Sequence, residues 1–80
     1  MVRLDKFLKV SRVVKRRTVA KKLSEMGRII VNGRIVKASY EVKEGDVIEV
    51  VGDRLYRKVK VVDADKGVVD LIEEKVDREG

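Results

Sequence analysis

At 80 residues the chain makes one small domain, just large enough to bury a core without disulfide or metal staples and too short for a two-domain enzyme. It has no cysteine and no histidine, which excludes disulfide frameworks, cysteine nucleophiles, imidazole bases and the usual zinc sites. The net charge of +6 is uneven: residues 1–40 hold 12 Lys/Arg against 2 Asp/Glu, a net of +10, and residues 41–80 hold 8 against 12, a net of −4.

The start, MVRLDKFLKV, carries a charge every two or three residues and no apolar stretch of signal-peptide length. Nothing later approaches a membrane span, so a soluble, cytoplasmic protein with no membrane partner is expected. Leu4, Phe7, Leu8 and Ser11 share one face at a 3.6-residue period, with Lys6 and Lys9 opposite and Arg3 at the border, which predicts a short amphipathic helix. Asp5 suits the positive end of that helix's dipole. Val13, Val14 and the run Lys15-Arg16-Arg17 read as a connection, and Thr18 as the N-cap of a second helix through about Met26. Its predicted apolar stripe is Val19, Ala20, Leu23 and Met26, and Gly27 stops it.

After Gly27 the period changes to two. Ile29–Val31 and Arg34–Val36 predict strands joined by Asn32-Gly33, a strong hairpin signal because both residues tolerate positive φ. Turns at Glu44-Gly45-Asp46, Gly52-Asp53 and Asp65-Lys66-Gly67 separate the strands Val47–Val51 and Leu55–Val62 from the apolar run Val68–Ile72. Residues 68–75 fit a strand or the start of a helix, and residues 73–80 read as a charged, fraying tail. The expected class is α+β: two N-terminal helices on a small, mostly antiparallel sheet. Residues 1–51 form the main unit, 52–72 supply strands extending it, and 73–80 the tail.

Charge narrows the function. Within residues 1–24 Asp5 is the only acid against nine bases, so a polyanion is the expected partner. The interleaved signs of the second half read as an ordinary solvated surface. Only Phe7, Tyr40 and Tyr56 are aromatic, with Phe7 assigned to the core and both tyrosines to the sheet. No exposed aromatic pair is spaced to stack consecutive bases, which favours structured RNA recognised by shape and phosphate position. The hairpin is a rigid ledge for Arg34 and Lys37, and Lys15, Arg16 and Arg17 form a second basic cluster. Lys6 is added from the polar side of the first helix. Asn32 is explained as well by its turn as by an RNA contact.

Residues 3–50, RLDKFLKVSRVVKRRTVAKKLSEMGRIIVNGRIVKASYEVKEGDVIEV, resemble the RNA-binding domain first defined in ribosomal protein four of the small subunit. Arg3-Leu4-Asp5, Arg17-Thr18-Val19-Ala20, Gly27, Val31-Asn32-Gly33 and Gly45-Asp46 carry the likeness. The start further resembles the short stand-alone proteins related to bacterial heat-shock protein fifteen and the ribosome-associated quality-control factor of the P site. That resemblance implies a non-enzymatic protein, without cofactor or metal, that binds structured rRNA and tRNA on the large ribosomal subunit and stabilises peptidyl-tRNA after stalling. It also assigns RNA contacts to Arg3 and Arg17, and a groove for one RNA backbone between Arg3, the basic corner and the hairpin. A monomer is expected. Ribosome assembly or general structured-RNA binding is the alternative, with a protein-interaction adaptor behind it. Arg3-Leu4-Asp5 also resembles the catalytic tripeptide of pseudouridine synthases, but those enzymes carry it in a separate, larger domain.

Overall fold

Leu4, Phe7 and Leu8 recur at helical spacing and are completely buried, which turns the chain into a helix almost at its start. In the computed structural model, which describes residues 1–77, β1 (Val2–Arg3) leads directly into α1 (Leu4–Val10), and α2 (Arg17–Glu25) follows. Then come β2 (Ile29–Val31), β3 (Arg34–Ile35), β4 (Glu41–Val42), β5 (Val47–Val51), β6 (Leu55–Asp63) and β7 (Val68–Val76). Five of these form one antiparallel sheet in the order β3-β2-β5-β6-β7, while β4 pairs with β1. The expected α+β class holds. The core lies between the helices and one sheet face: Ile29, Val31, Ile48, Val50, Val59 and Val61 belong to one buried cluster with Leu4, Phe7 and Leu8 of α1 and Ala20 of α2.

The hairpin forms as expected, with φ of 52° at Asn32 and 82° at Gly33. Three expectations are corrected: the N-cap of α2, its apolar stripe and the charged tail. Arg16, in extended conformation, rather than Thr18, occupies the N-cap of α2 and makes no side-chain cap. The helix therefore starts at Arg17, whose side chain reaches an acid on α1. Met26 and Val19 are largely exposed; the buried line of α2 is Ala20 and Ser24, with Leu23 part-buried beside them. Small residues suit the close approach of the two helices, and the Ser24 hydroxyl is satisfied by donating to the Lys21 carbonyl at 2.7 Å. Val13 and Val14 are core residues, so the connection is a pinned corner whose Val13 carbonyl accepts from Arg57 Nη1 at 2.9 Å.

The last segment is a strand, and it continues through Glu73 to Val76, where a tail was expected; residues 78–80, the end of that tail, lie outside the described residues. Charge explains the extension. Glu73 and Glu74 stand opposite Lys58 and Arg57, and Arg57 Nε donates to Glu74 at 2.7 Å. One register row crosses all five strands as Ile35, Ile30, Glu49, Lys58 and Glu73, with Lys60 facing Asp70 one row away. Glu73, Glu74 and Asp70 thus face bases of the neighbouring strand, while Asp53 pairs with Arg28 of the basic half at 2.8 Å.

Candidate nucleic-acid interface

Asp5 is 4% exposed, and two arginines from different elements converge on it. Arg17 Nε at the start of α2 lies 3.2 Å from one carboxylate oxygen, and Arg3 Nε from β1 lies 3.4 Å from the other. Both guanidinium side chains stay about half exposed, so each retains N–H donors for a ligand. The backbone N–H of Lys6 also donates to Asp5, at 2.7 Å, in keeping with its place in the first turn of α1. Burial alone would raise the Asp5 pKa, but the Arg17 hydrogen bond, the Lys6 N–H and the charges of Arg17 and Arg3 outweigh it and hold the carboxyl below its ordinary 3.8.

The sign of that shift sets a pH dependence. A depressed folded-state pKa contributes stability that is present above 3.8 and lost as pH falls through the folded value. Asp5→Asn is expected to lower stability at pH 7 by about 1–3 kcal/mol, the usual cost of breaking a buried polar partnership. The difference from wild type should shrink below pH 4, as read by urea unfolding at several pH values.

Two concavities flank this cluster. One, of about 360 Å³, is lined by Lys6, Lys15, Arg16 and Arg17, with Lys9 added. The other, of about 560 Å³, lies between α2 and the segment after β3 and is bordered by Arg3, Lys21 and Lys37. Six of the eight predicted site residues therefore border one or other groove, and the Arg3–Asp5–Arg17 cluster joins the two. The ion pairs of Arg3 and Arg17 go to Asp5, an acid of the basic half itself.

Asn32 and Arg34 line neither groove. Asn32 Nδ2 donates to Asp46 at 3.0 Å and its Oδ1 accepts the Val47 N–H at 3.0 Å, which ties the hairpin turn to β5. Asp46, itself buried, also accepts from the Tyr40 hydroxyl and the Lys43 N–H, both at 3.0 Å. Burial, then the hydrogen bond to Asp46, push the Tyr40 pKa up. The Tyr56 hydroxyl instead donates to Glu49 on the outer sheet face. Arg34 is exposed at the hairpin tip.

Sequence reading missed Lys9 and Lys21 as groove residues. The signal was available: Lys9 follows Lys6 by three and Lys21 follows Arg17 by four, the spacings that share a helix face. It also missed that Asp5 anchors both arginines, a long-range pairing with no local pattern.

The family model described as the S4 domain matches residues 2–48, more than half of the chain. Among curated proteins, the RQC P-site tRNA stabilizing factor of Halalkalibacterium halodurans is 67% identical over 45 residues, covering 56% of this chain and 51% of that protein. The factor of the same name from Streptococcus pneumoniae is 48% identical over 62 residues, covering 78% of this chain and 70% of its own length. An uncharacterized RNA pseudouridine synthase of Aquifex aeolicus is 44% identical over 61 residues but is covered for only 25% of its length. The chain thus spans about half the length of the first of these relatives and a quarter of the synthase. Among solved structures, the trimeric heat shock protein 15 of Vibrio cholerae superposes with a TM-score of 0.76 at 26% identity, covering 89% of this chain and 81% of that one.

Proposed function

The chain belongs to the S4-domain family, and we propose that it is a non-enzymatic protein that grips structured rRNA and tRNA on the large ribosomal subunit, stabilising peptidyl-tRNA during rescue of stalled ribosomes. The observation that carries this reading is the convergence of Arg3 and Arg17 on buried Asp5, with a cation-lined groove on either side. Planar guanidinium forks held by a buried acid are pre-oriented for phosphate, so little side-chain entropy is lost on binding. The proposed contacts are Arg3, Lys6, Lys15, Arg16, Arg17 and Lys37 in the grooves, with Arg34 and Asn32 at the margin.

The absence of catalysis is part of the proposal. Asp5, the acid of the Arg-Leu-Asp tripeptide, is buried and occupied by two arginines and a backbone N–H, a poor state for a nucleophile. The acids of β7 face bases of β6, and the ion pair of Asp53 in the acidic half with Arg28 in the basic half involves none of the groove cations. A monomer remains part of the proposal: edge strand β7 carries Asp70, Glu74 and Lys75 and a register slip at Ile72, which work against edge pairing, although Val68, Leu71, Ile72 and Val76 of the same strand are exposed. No helix among the described residues is long and apolar enough to cross a membrane; the proposed place of action is the cytoplasm.

Sucrose-gradient fractionation of tagged protein from stressed cells tests the reading. Co-migration with free large subunits that carry peptidyl-tRNA is expected. Co-migration with small-subunit precursors would move the function to ribosome assembly.

A further inference from the structure

The two grooves differ in chemistry, and the difference says what each holds. The groove of Lys6, Lys15, Arg16 and Arg17 is cationic almost throughout, as a phosphate seat should be. The larger groove is cationic only where Arg3, Lys21 and Lys37 border it; elsewhere Gly27, Ile35, Val36 and Ala38 form an aliphatic stretch, with Ser24, Glu25 and Ser39 beside it. Ile35 is 67% exposed and presents its aliphatic side chain to this groove. Its Cδ1 lies 3.8 Å from where a Cβ on Gly27 would stand, so the two residues adjoin in the groove wall. At about 560 Å³ the groove falls in the range of small-molecule sites, about 300–1,000 Å³.

A phosphate can use the cations at the border, but it leaves the aliphatic part of the lining, Ile35 and Val36, without a matching partner. Paired bases do not reach it either, since an A-form helix shows only base edges and backbone. The part of an RNA that combines an apolar face with phosphates on both sides is an unpaired nucleotide. Glu25, the one acid among the described residues that border the groove, fits the same occupant: a carboxylate repels phosphate but accepts the N–H donors on an exposed base edge.

We propose that the groove between α2 and the segment after β3 receives one unpaired nucleotide, its base against Ile35, Val36 and Gly27 and its flanking phosphates at Arg3, Lys21 and Lys37. The inference rests on the RNA-binding reading above and adds the feature recognised within the RNA. The backbone of that nucleotide would continue past the Arg3–Asp5–Arg17 cluster into the groove of Lys6, Lys15, Arg16 and Arg17. The protein would thereby distinguish a duplex interrupted by an extruded base from a continuous one without reading sequence.

The test measures binding of the full chain, by fluorescence anisotropy, to two RNA hairpins identical except for a single-nucleotide bulge in the stem of one. The bulged hairpin is expected to bind about fivefold more tightly, the fold-change at the low end of what one seated base contributes. Ile35→Asn, at an exposed position, and Ser39→Leu, which crowds the groove, should each bring the two affinities to within about twofold. Neither variant should change binding to the continuous hairpin. Equal wild-type affinity for both hairpins overturns the nucleotide site while leaving RNA binding intact, as does a preference that survives both substitutions. Failure to bind either hairpin overturns the RNA-binding reading, and this inference with it.

Discussion

Replacing Lys15, Arg16 and Arg17 together by alanine is expected to weaken binding to structured RNA by about 100-fold or more at physiological salt. Hydrogen bonds to charged groups contribute about 1.5–3 kcal/mol each when well made. Discounting that to about 1 kcal/mol per exposed side chain still gives a factor of this size for three. The log–log salt slope should fall by about 2–3, because each lost phosphate contact removes about 0.7–0.9. The fold should survive. Lys15 and Arg16 are exposed, Asp5 keeps Arg3, and the corner stays pinned by buried Val13 and Val14 and by the Arg57 bond to the Val13 carbonyl. An unchanged circular dichroism spectrum with near-normal affinity would remove the corner from the binding surface.

The largest effect on stability is expected at Gly67, far from either groove in the chain. This glycine has φ of +69° in the turn between β6 and β7, and that turn packs on the end of α1. A Cβ there would stand 2.6 Å from Val10 Cγ1 and 3.1 Å from both the Ser11 nitrogen and the Val10 carbonyl carbon. The Val10 side chain can rotate away; the backbone atoms cannot. Gly67→Val combines left-handed strain, about 1–2 kcal/mol for a residue with a Cβ and more for a branched one, with overpacking of about 1–3 kcal/mol. A loss of about 3 kcal/mol or more in urea unfolding is therefore expected, a large share of what a domain of this size possesses. Since the displaced backbone leads into the basic corner, RNA affinity should fall too.

What the sequence revealed follows physical range. Leu4, Phe7 and Leu8 announce α1 through their spacing, and Asn32-Gly33 announces the hairpin through its backbone preferences, because both signals are local. The pairing of β1 with β4 has no such signal: two-residue strands carry no periodicity, and Val2 meets Val42 only through the fold. The stripe of α2 was misjudged for a related reason. Val19 and Met26 are more hydrophobic than Ser24, but the closeness of α1 favours small residues, and side-chain size decides which face turns inward. The extension of β7 to Val76 depends on Lys58 and Arg57 across the strand, which a reading of Glu73 and Glu74 alone cannot supply. Composition did locate the site's sign and most of its residues. It did not distinguish the cationic groove from the partly aliphatic one, because that division arises only when Ile35 and Val36 come alongside α2.

Everything depends on one positive surface on the helical side of the molecule receiving the RNA backbone, while the outer sheet face stays out of contact. Titrating nitrogen-15-labelled protein with a structured RNA hairpin and following amide chemical shifts tests this directly. The account predicts shifts concentrated in residues 3–21 and 34–39, with the amides of Glu49, Lys58 and Glu73 on the outer face unmoved. Shifts concentrated along β6 and β7, with Arg3 and Arg17 silent, would contradict it.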